Sequence, residues 1–188
     1  MKINEIFYSL QGEGCFTGTP AVFLRFSGCN MQCPFCDTRH EEGTEMSEED
    51  IVKAIGRYPA RHIVITGGEP TMQLNARLTG LLKETGCFIQ IETNGSLPLK
   101  DGVRVDWTTC SPKGNTVRIQ HIDELKLLFI PEYIRKYEGI RAERYCLQPL
   151  DSGDAEKNER NLRATIEHVL ANPKWRLSLQ THKIIGIT

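Results

Sequence analysis

Short β-branched or apolar runs alternate with helical patterns along most of this chain, and that alternation leaves few architectures open. It is the signature of a parallel sheet wrapped by helices. The runs "AVFLRF" (21–26), "HIVIT" (62–66), "CFIQIE" (87–92), "VRVDWTT" (103–109), "ELKLLF" (124–129), "RYCLQP" (144–149) and "WRLSLQ" (175–180) read as strands. Between them, "SEEDIVKAIGRY" opens on a capping-box pattern, Ser47 with Asp50 three residues on. "MQLNARLTGLLKETG" repeats apolar residues at helical spacing and ends at Gly86, a natural C-cap. "DAEKNERNLRATIEHVLANP" puts Leu162, Ile166, Val169 and Leu170 on one face and stops at Asn172-Pro173. Six or seven strands with too few helices for an eight-fold barrel predict an α/β fold, an incomplete TIM-like barrel of mostly parallel strands with outer helices. A flat doubly wound sheet is the alternative. With 188 residues and no repeat or linker, the chain reads as one domain, 1–188.

In a barrel, ligands meet the C-terminal ends of the strands. The unusual residues fall there: "SGCN", "TGGEP", "ETNG", "TTCSPKG", "LQPLD" and "QTHK" each follow a strand, and six such loops on one rim favour a site over ordinary turns. Within "PAVFLRFSG", Val22, Leu24 and Phe26 share one face and Phe23, Arg25 and Ser27 the other. The apolar face meets helices, so Arg25 points to the inner side. A guanidinium there needs a partner, either a carboxylate such as Glu13 or the carboxylate of a substrate.

The formal net charge of −1 gives no global field to hold nucleic acid or an anionic membrane. "MKINEIFYSLQGEG" lacks the apolar run of a signal peptide, and no stretch approaches membrane-spanning length, so the expected location is the cytoplasm. There thiols stay reduced, and seven cysteines, an odd number, argue against a disulfide framework. Cys15, Cys87, Cys110 and Cys146 stand alone in the sequence and read as structural. Cys29, Cys33 and Cys36 form C-x3-C-x2-C just past a strand end. Three thiolates at this spacing can wrap one face of an iron–sulfur cube and leave one iron open. A structural zinc site closes its shell with four ligands, for which Cys15 or His40 are the candidates.

The cysteine motif with Phe35 as its aromatic, followed by "GGEP" after the next strand, resembles the radical S-adenosylmethionine superfamily. Within it, "LQGEG", the "RFSGCNMQCPFCDT" run, "TGGEP", "ETNG", "SPK", "QPLD" and "LQTHK" resemble the 7-carboxy-7-deazaguanine synthase family over essentially the whole chain from about residue 10. The resemblance implies a radical lyase that acts on 6-carboxy-5,6,7,8-tetrahydropterin, contracts its ring and releases ammonia to give 7-carboxy-7-deazaguanine, in queuosine-precursor biosynthesis. It implies that Cys29, Cys33 and Cys36 hold a 4Fe–4S cluster whose open iron chelates S-adenosylmethionine, from which a 5′-deoxyadenosyl radical forms. S-adenosylmethionine is implied to be regenerated at each turnover.

For the cofactor, the resemblance implies contacts from Phe35, Cys36, Asp37, Gly68, Glu69, Ser111, Pro112, Lys113, Gln148, Pro149, Leu150 and Asp151, with Glu69 accepting a bond from its ammonium. For the substrate it implies Leu10, Gln11, Gly12, Arg25, Thr66, Gln180, His182 and the terminal carboxylate of Thr188. The tail "QTHKIIGIT" reads as helix-free, and packing is its other reading. Thr38 corresponds to a magnesium ligand, the remaining donors being water and the substrate carboxylate. A homodimer and an electron donor such as flavodoxin or ferredoxin are further implications. Two rival readings are a glycyl-radical-enzyme activase, which shares the cysteine spacing, and a non-catalytic zinc or iron–sulfur module, which needs Cys15 as fourth ligand.

Overall fold

The computed structural model describes residues 1–36, 38 and 40–187. Its centre is a nine-stranded sheet in the order β3-β1-β2-β4-β5-β6-β7-β8-β9. The strands are β1 (Lys2–Leu10), β2 (Pro20–Phe26), β3 (Thr44–Glu45), β4 (His62–Gly67), β5 (Phe88–Thr93), β6 (Trp107–Cys110), β7 (Glu124–Leu128), β8 (Arg144–Gln148) and β9 (Arg176–Leu177). From β2 to β9 every pairing is parallel, seven strands in one open, unclosed run, which is the expected partial barrel. Among the described residues five α-helices accompany them: α1 (Glu48–Ile55), α2 (Ala76–Glu84), α3 (Pro131–Tyr137), α4 (Ala155–Ala171) and α5 (Thr181–Ile185). No helix among the described residues is long and apolar enough to cross a membrane.

Period-two alternation sorts the residues of the parallel strands. Ile63, Ile65, Ile89 and Ile91 join Val22, Leu24 and Phe26 in a core completed by Ile51, Ile55, Leu78 and Leu82 of α1 and α2. Leu125, Leu127 and Leu147 build a second cluster with Tyr137 and Trp175. The alternate positions face the concave side, and there most are polar, among them Thr66, Gln90, Glu92, Thr109, Glu124, Lys126 and Gln148, beside an apolar patch of Ala21, Phe23 and Val64. Concave polarity is what distinguishes this sheet from a filled barrel, and it leaves room for ligands. Phe16, on a single-turn 3-10 helix (Gly14–Phe16), plugs the N-terminal end of the strands with edge-on contacts to His62, Phe88 and Trp107 at ring separations of 4.8, 5.5 and 5.0 Å.

The helix caps follow the sequence. Ser47 Oγ accepts from Asp50 N at 3.1 Å, Asn75 Oδ1 from Leu78 N at 2.9 Å, and Asp154 Oδ1 from Lys157 N at 3.0 Å. Gly86 turns the chain after α2 with φ +76°.

Several expectations are corrected. Strands β1 and β3 are additional to the expected set: β1 pairs antiparallel with β2 and β3, and it carries no alternation, since only Ile3 in it is buried. Residues 103–106 are not strand, because Val103 and Val105 reach the first core from a loop closed by Val103 N to Lys100 O and Asp106 N to Ile89 O. The "WRLSLQ" strand shrinks to Arg176–Leu177. On α4 the buried position is Thr165, with Ile166 and Leu170 37 % and 77 % exposed, so the predicted stripe is rotated. The tail is not helix-free: α5 occupies Thr181–Ile185 and ends at the left-handed Gly186.

Candidate active site

The loops at the C-terminal ends of β2, β4, β5, β6 and β8 surround one cavity of about 690 Å³, within the range of small-molecule sites. Cys29, Cys33 and Cys36, Arg25 and Thr38, and Gln11, Gly12, Gln180 and His182 all line it. The cysteine loop is clamped at several points. Gly28 N donates to His40 O at 2.7 Å, Glu69 N to Gly28 O at 2.9 Å, and Asn30 links to Asn94 and Ser96 at 3.1 and 2.9 Å. Gly68 permits this closeness: a Cβ there would lie 2.0 Å from Gly28 O and 2.9 Å from Cys29 Cβ.

All three cysteines are free thiols. A structural zinc ion closes its shell with four protein ligands, whereas a cube takes one cysteine on each of three irons and leaves the fourth iron open. Three free thiols lining one cavity therefore fit a cluster as a donor set. Burial raises the pKa of Cys29 and Cys33, against a lowering contribution at Cys33 from the Lys113 ammonium. Lys113 donates to Ser111 O and Oγ at 2.9 and 3.1 Å. Burial, then repulsion from Lys126, lowers its own pKa.

The deepest part of the cavity is ionic. Lys126 Nζ donates to Glu13 Oε2 at 2.6 Å and Glu92 Oε2 at 2.8 Å, all three side chains being largely buried. Gln148 and Gln180 donate to Glu13 Oε1 at 3.2 and 2.9 Å, and Gln11 and Gln90 to Glu92 Oε1 at 3.1 and 2.9 Å. Burial alone would raise the Glu13 pKa, but attraction to Lys126 outweighs it and holds the carboxyl at about 2. At Glu92 burial prevails over Lys126, helped by Glu124 and Glu13, and the pKa rises. Burial opposes the Lys126 charge, yet Glu13 and Glu92 lift its pKa well above the usual lysine value.

Most of the sequence-predicted residues gather at this cavity, with instructive differences. Leu10, Thr66, Phe35, Gly68, Ser111, Lys113, Gln148, Leu150 and Asp151 all line it; Pro112, Pro149 and Glu69 do not. Asp37 and Thr188 lie outside the described residues. Glu69 is fully buried and its carboxylate is occupied: Oε1 accepts from Thr71 N, Thr71 Oγ1 and Thr93 Oγ1 at 3.1, 2.5 and 2.7 Å, and Oε2 from Asn94 N at 2.7 Å. It tethers the "ETNG" loop and does not reach the cavity. Asp151 accepts from Lys183 Nζ at 2.7 Å and from Gly153 N and Asn158, and these bonds, the Lys183 bond above all, hold its pKa at about 2.

Arg25 faces the cavity, but its protein partner is Glu5 at 2.7 Å, on the neighbouring strand β1, while Glu13 is taken by Lys126. The tail is both lining and packing, for Thr181 N and Oγ1 donate to Gly12 O at 2.9 Å each. Phe23, on the inner face with Arg25 as its strand indicates, stacks at 4.8 Å on Phe7, with Arg25 beside the Phe7 ring; Phe7 lies on β1, which the sequence pattern does not reveal. Lys126 and Glu92 were legible only as inward positions of their strands. Cys15 is not at the cavity, so of the two candidate fourth ligands only His40 lines it, and the non-catalytic module that needs Cys15 is not favoured.

Residues 24–175 match the family model of the radical SAM superfamily. The chain is 49% identical to a 7-carboxy-7-deazaguanine synthase of Bacteroides thetaiotaomicron over 99% of this chain and 98% of that protein. It is 38% identical to the enzyme of the same name from Nitratidesulfovibrio vulgaris, again over 99% and 98%. The crystal structure of QueE from Escherichia coli superposes with a TM-score of 0.77 at 33% identity, covering 95% of this chain and 92% of that one.

Proposed function

Because the chain belongs to the radical SAM superfamily and, within it, to the 7-carboxy-7-deazaguanine synthases, we propose that this cavity binds 6-carboxy-5,6,7,8-tetrahydropterin and assembles the reaction around it. The protein is a radical SAM lyase of deazapurine biosynthesis with a 4Fe–4S cluster, S-adenosylmethionine and Mg2+ as cofactors. The observation that carries the proposal is the meeting of three free cysteines, an inward arginine and a buried acid–lysine–acid floor on one cavity. When bound, the cluster and S-adenosylmethionine supply one-electron reduction and hydrogen-atom abstraction.

The chain's own residues bind, orient and exclude water. Cys29, Cys33 and Cys36 hold the cluster, with Lys113 offsetting thiolate charge. Gly68, Phe35, Ser111, Gln148 and Leu150 border S-adenosylmethionine. The substrate ring lies toward Phe7 and Phe23, its polar edges met by Gln11, Glu13, Glu92 and Gln180, with Leu10, Gly12, Thr66 and His182 closing the pocket. Arg25 pairs with the substrate carboxylate. Glu92, whose raised pKa follows from burial, is suited to hold a proton for the departing ammonia.

Thr38 supplies a hard oxygen for magnesium. Arg25 Nη1 lies 3.5 Å from Thr38 Oγ1, so a cation there meets a positive neighbour until a carboxylate bridges the two. Magnesium binding therefore requires substrate. The continuous sheet supports one domain over 1–188. Cytoplasmic location, homodimerisation and reduction by a flavodoxin or ferredoxin complete the proposal.

Anaerobic calorimetry tests the binding order: the account expects no Mg2+ uptake by the cluster-loaded enzyme alone and saturable uptake once the pterin is present. Equal Mg2+ affinity with and without pterin refutes it. A glycyl radical raised in a partner protein, with no pterin turnover, would support the activase instead.

A further inference from the structure

Below the cavity, toward the N-terminal end of the barrel, a second group of metal-ligating side chains meets. Cys15 comes from the 3-10 turn, Cys146 from β8 and Glu124 from β7, and their ligating atoms all lie within 4.8 Å of one another. Cys146 and Glu124 are buried and Cys15 half-buried. The two sulfurs hydrogen-bond each other and are not joined in a disulfide. Glu124 Oε2 accepts from Cys15 N at 3.1 Å and the carboxylate also meets the Cys15 thiol, while Oε1 is buried with no hydrogen-bond partner.

A fully buried carboxylate oxygen without a donor is costly, and native structures avoid it. The chain preserves this one at close quarters: Gly14, at φ +67°, brings the turn so near that a Cβ would lie 2.1 Å from Oε1. A cation between the orphaned oxygen and the two sulfurs satisfies all three.

We propose that Cys15, Cys146 and Glu124 hold a thiophilic divalent cation of the zinc class, at a site separate from the cysteine loop and independent of the catalytic reading above. Two thiolates and a carboxylate are a borderline-soft donor set suited to such an ion. Around a tetrahedral centre with bonds of about 2.0 to 2.3 Å the donor atoms lie roughly 3.3 to 3.8 Å apart, compatible with the observed cluster. The fourth position opens past half-buried Cys15 and takes a water. Binding releases two thiol protons; the three anionic ligands around the 2+ ion leave one negative charge, beside the Arg176 guanidinium, which attracts the Cys15 thiolate. The ion staples the 3-10 turn to β7 and β8, and through that turn holds Phe16 in the barrel end and Glu13 under the cavity.

The test uses cluster-loaded enzyme, so that the cysteine loop is already filled. The protein is treated anaerobically with one equivalent of Zn2+, desalted, and examined by metal analysis and zinc K-edge absorption. The proposal expects about one zinc beside about four irons per chain, with two sulfurs at about 2.3 Å and the remaining donors light atoms at about 2.0 to 2.2 Å. Cys15→Ser, on the half-buried turn, is expected to lower zinc affinity at least about tenfold, the lower range for a weakened site, while iron content stays as in the wild type. Glu124→Gln is expected to keep the two-sulfur shell at reduced affinity. Zinc washed out of the wild type, a three-sulfur shell, unchanged zinc binding in Cys15→Ser, or a Cys15–Cys146 disulfide in the isolated protein overturns the proposal.

Discussion

Replacing Lys126 with methionine removes the one cation bonded to both Glu13 and Glu92, at 2.6 and 2.8 Å, in a place where its side chain is only 7 % exposed. Methionine fills much of the volume, so the loss is electrostatic. Breaking a buried pair by removing one partner costs about 3–5 kcal/mol, because the remaining charge stays uncompensated. The fall of the Glu13 pKa from an ordinary value of about 4.3 to about 2 is by itself worth roughly 3 kcal/mol, of the same order. Against a typical total of about 5–15 kcal/mol, that is a large share.

The pH dependence carries the sharper signature. In the wild type Glu13 has a lowered pKa, so its contribution is present above the unfolded value and is lost as pH falls toward about 2. Glu92 runs the other way: its raised pKa makes the folded state bind the proton more readily, which weakens stability as pH rises. Without Lys126 both carboxyls follow the Glu92 pattern, since burial is left unopposed. The variant's deficit is therefore largest near neutrality and shrinks at pH 5. Urea unfolding of the cluster-free chain at pH 5 and pH 7.5 measures both effects, and Lys126→Met/Glu13→Gln should recover part of the loss. A deficit under about 1 kcal/mol, as for an exposed pair, with parallel pH curves would refute the buried triad.

Gly68→Ala places a methyl against Gly28 O and Cys29 Cβ, and is expected to displace the cysteine loop; a lower iron content after reconstitution checks it. Gly12→Ala collides with His182, whose Nδ1 would lie 2.3 Å from the new Cβ, so α5 is pushed off the pocket and the KM for the pterin rises, as steady-state kinetics would show. Glu69→Gln replaces an acceptor that serves four donors and is expected to cost about 1–3 kcal/mol in denaturant unfolding. Cys33→Ser is expected to abolish the reduced-cluster paramagnetic signal under anaerobic reconstitution.

The outward half of this fold was the readable half. Ile63, Ile65, Ile89, Ile91, Leu125 and Leu127 alternate within compact runs, and their helices carry capping residues that work as the sequence indicates. β1 was not readable, because an antiparallel edge hairpin needs little burial, and its loss hid Phe7 and the Glu5 partner of Arg25. α5 is too short for periodicity; Gly186 was its single local signal. The motif loops located the rim of the cavity. Its floor is a matter of register: Glu92 and Lys126 meet Glu13 only because three distant segments converge, and no spacing along the chain records that. The same is true of Cys15 and Cys146, which looked solitary in sequence.

The most direct measurement is anaerobic product analysis with the cluster-loaded enzyme, 6-carboxy-5,6,7,8-tetrahydropterin, S-adenosylmethionine, Mg2+ and a reductant. The account predicts 7-carboxy-7-deazaguanine together with an equal amount of ammonia, many turnovers per S-adenosylmethionine, and no product from Cys33→Ser. Cleavage of S-adenosylmethionine with the pterin recovered unchanged would contradict it.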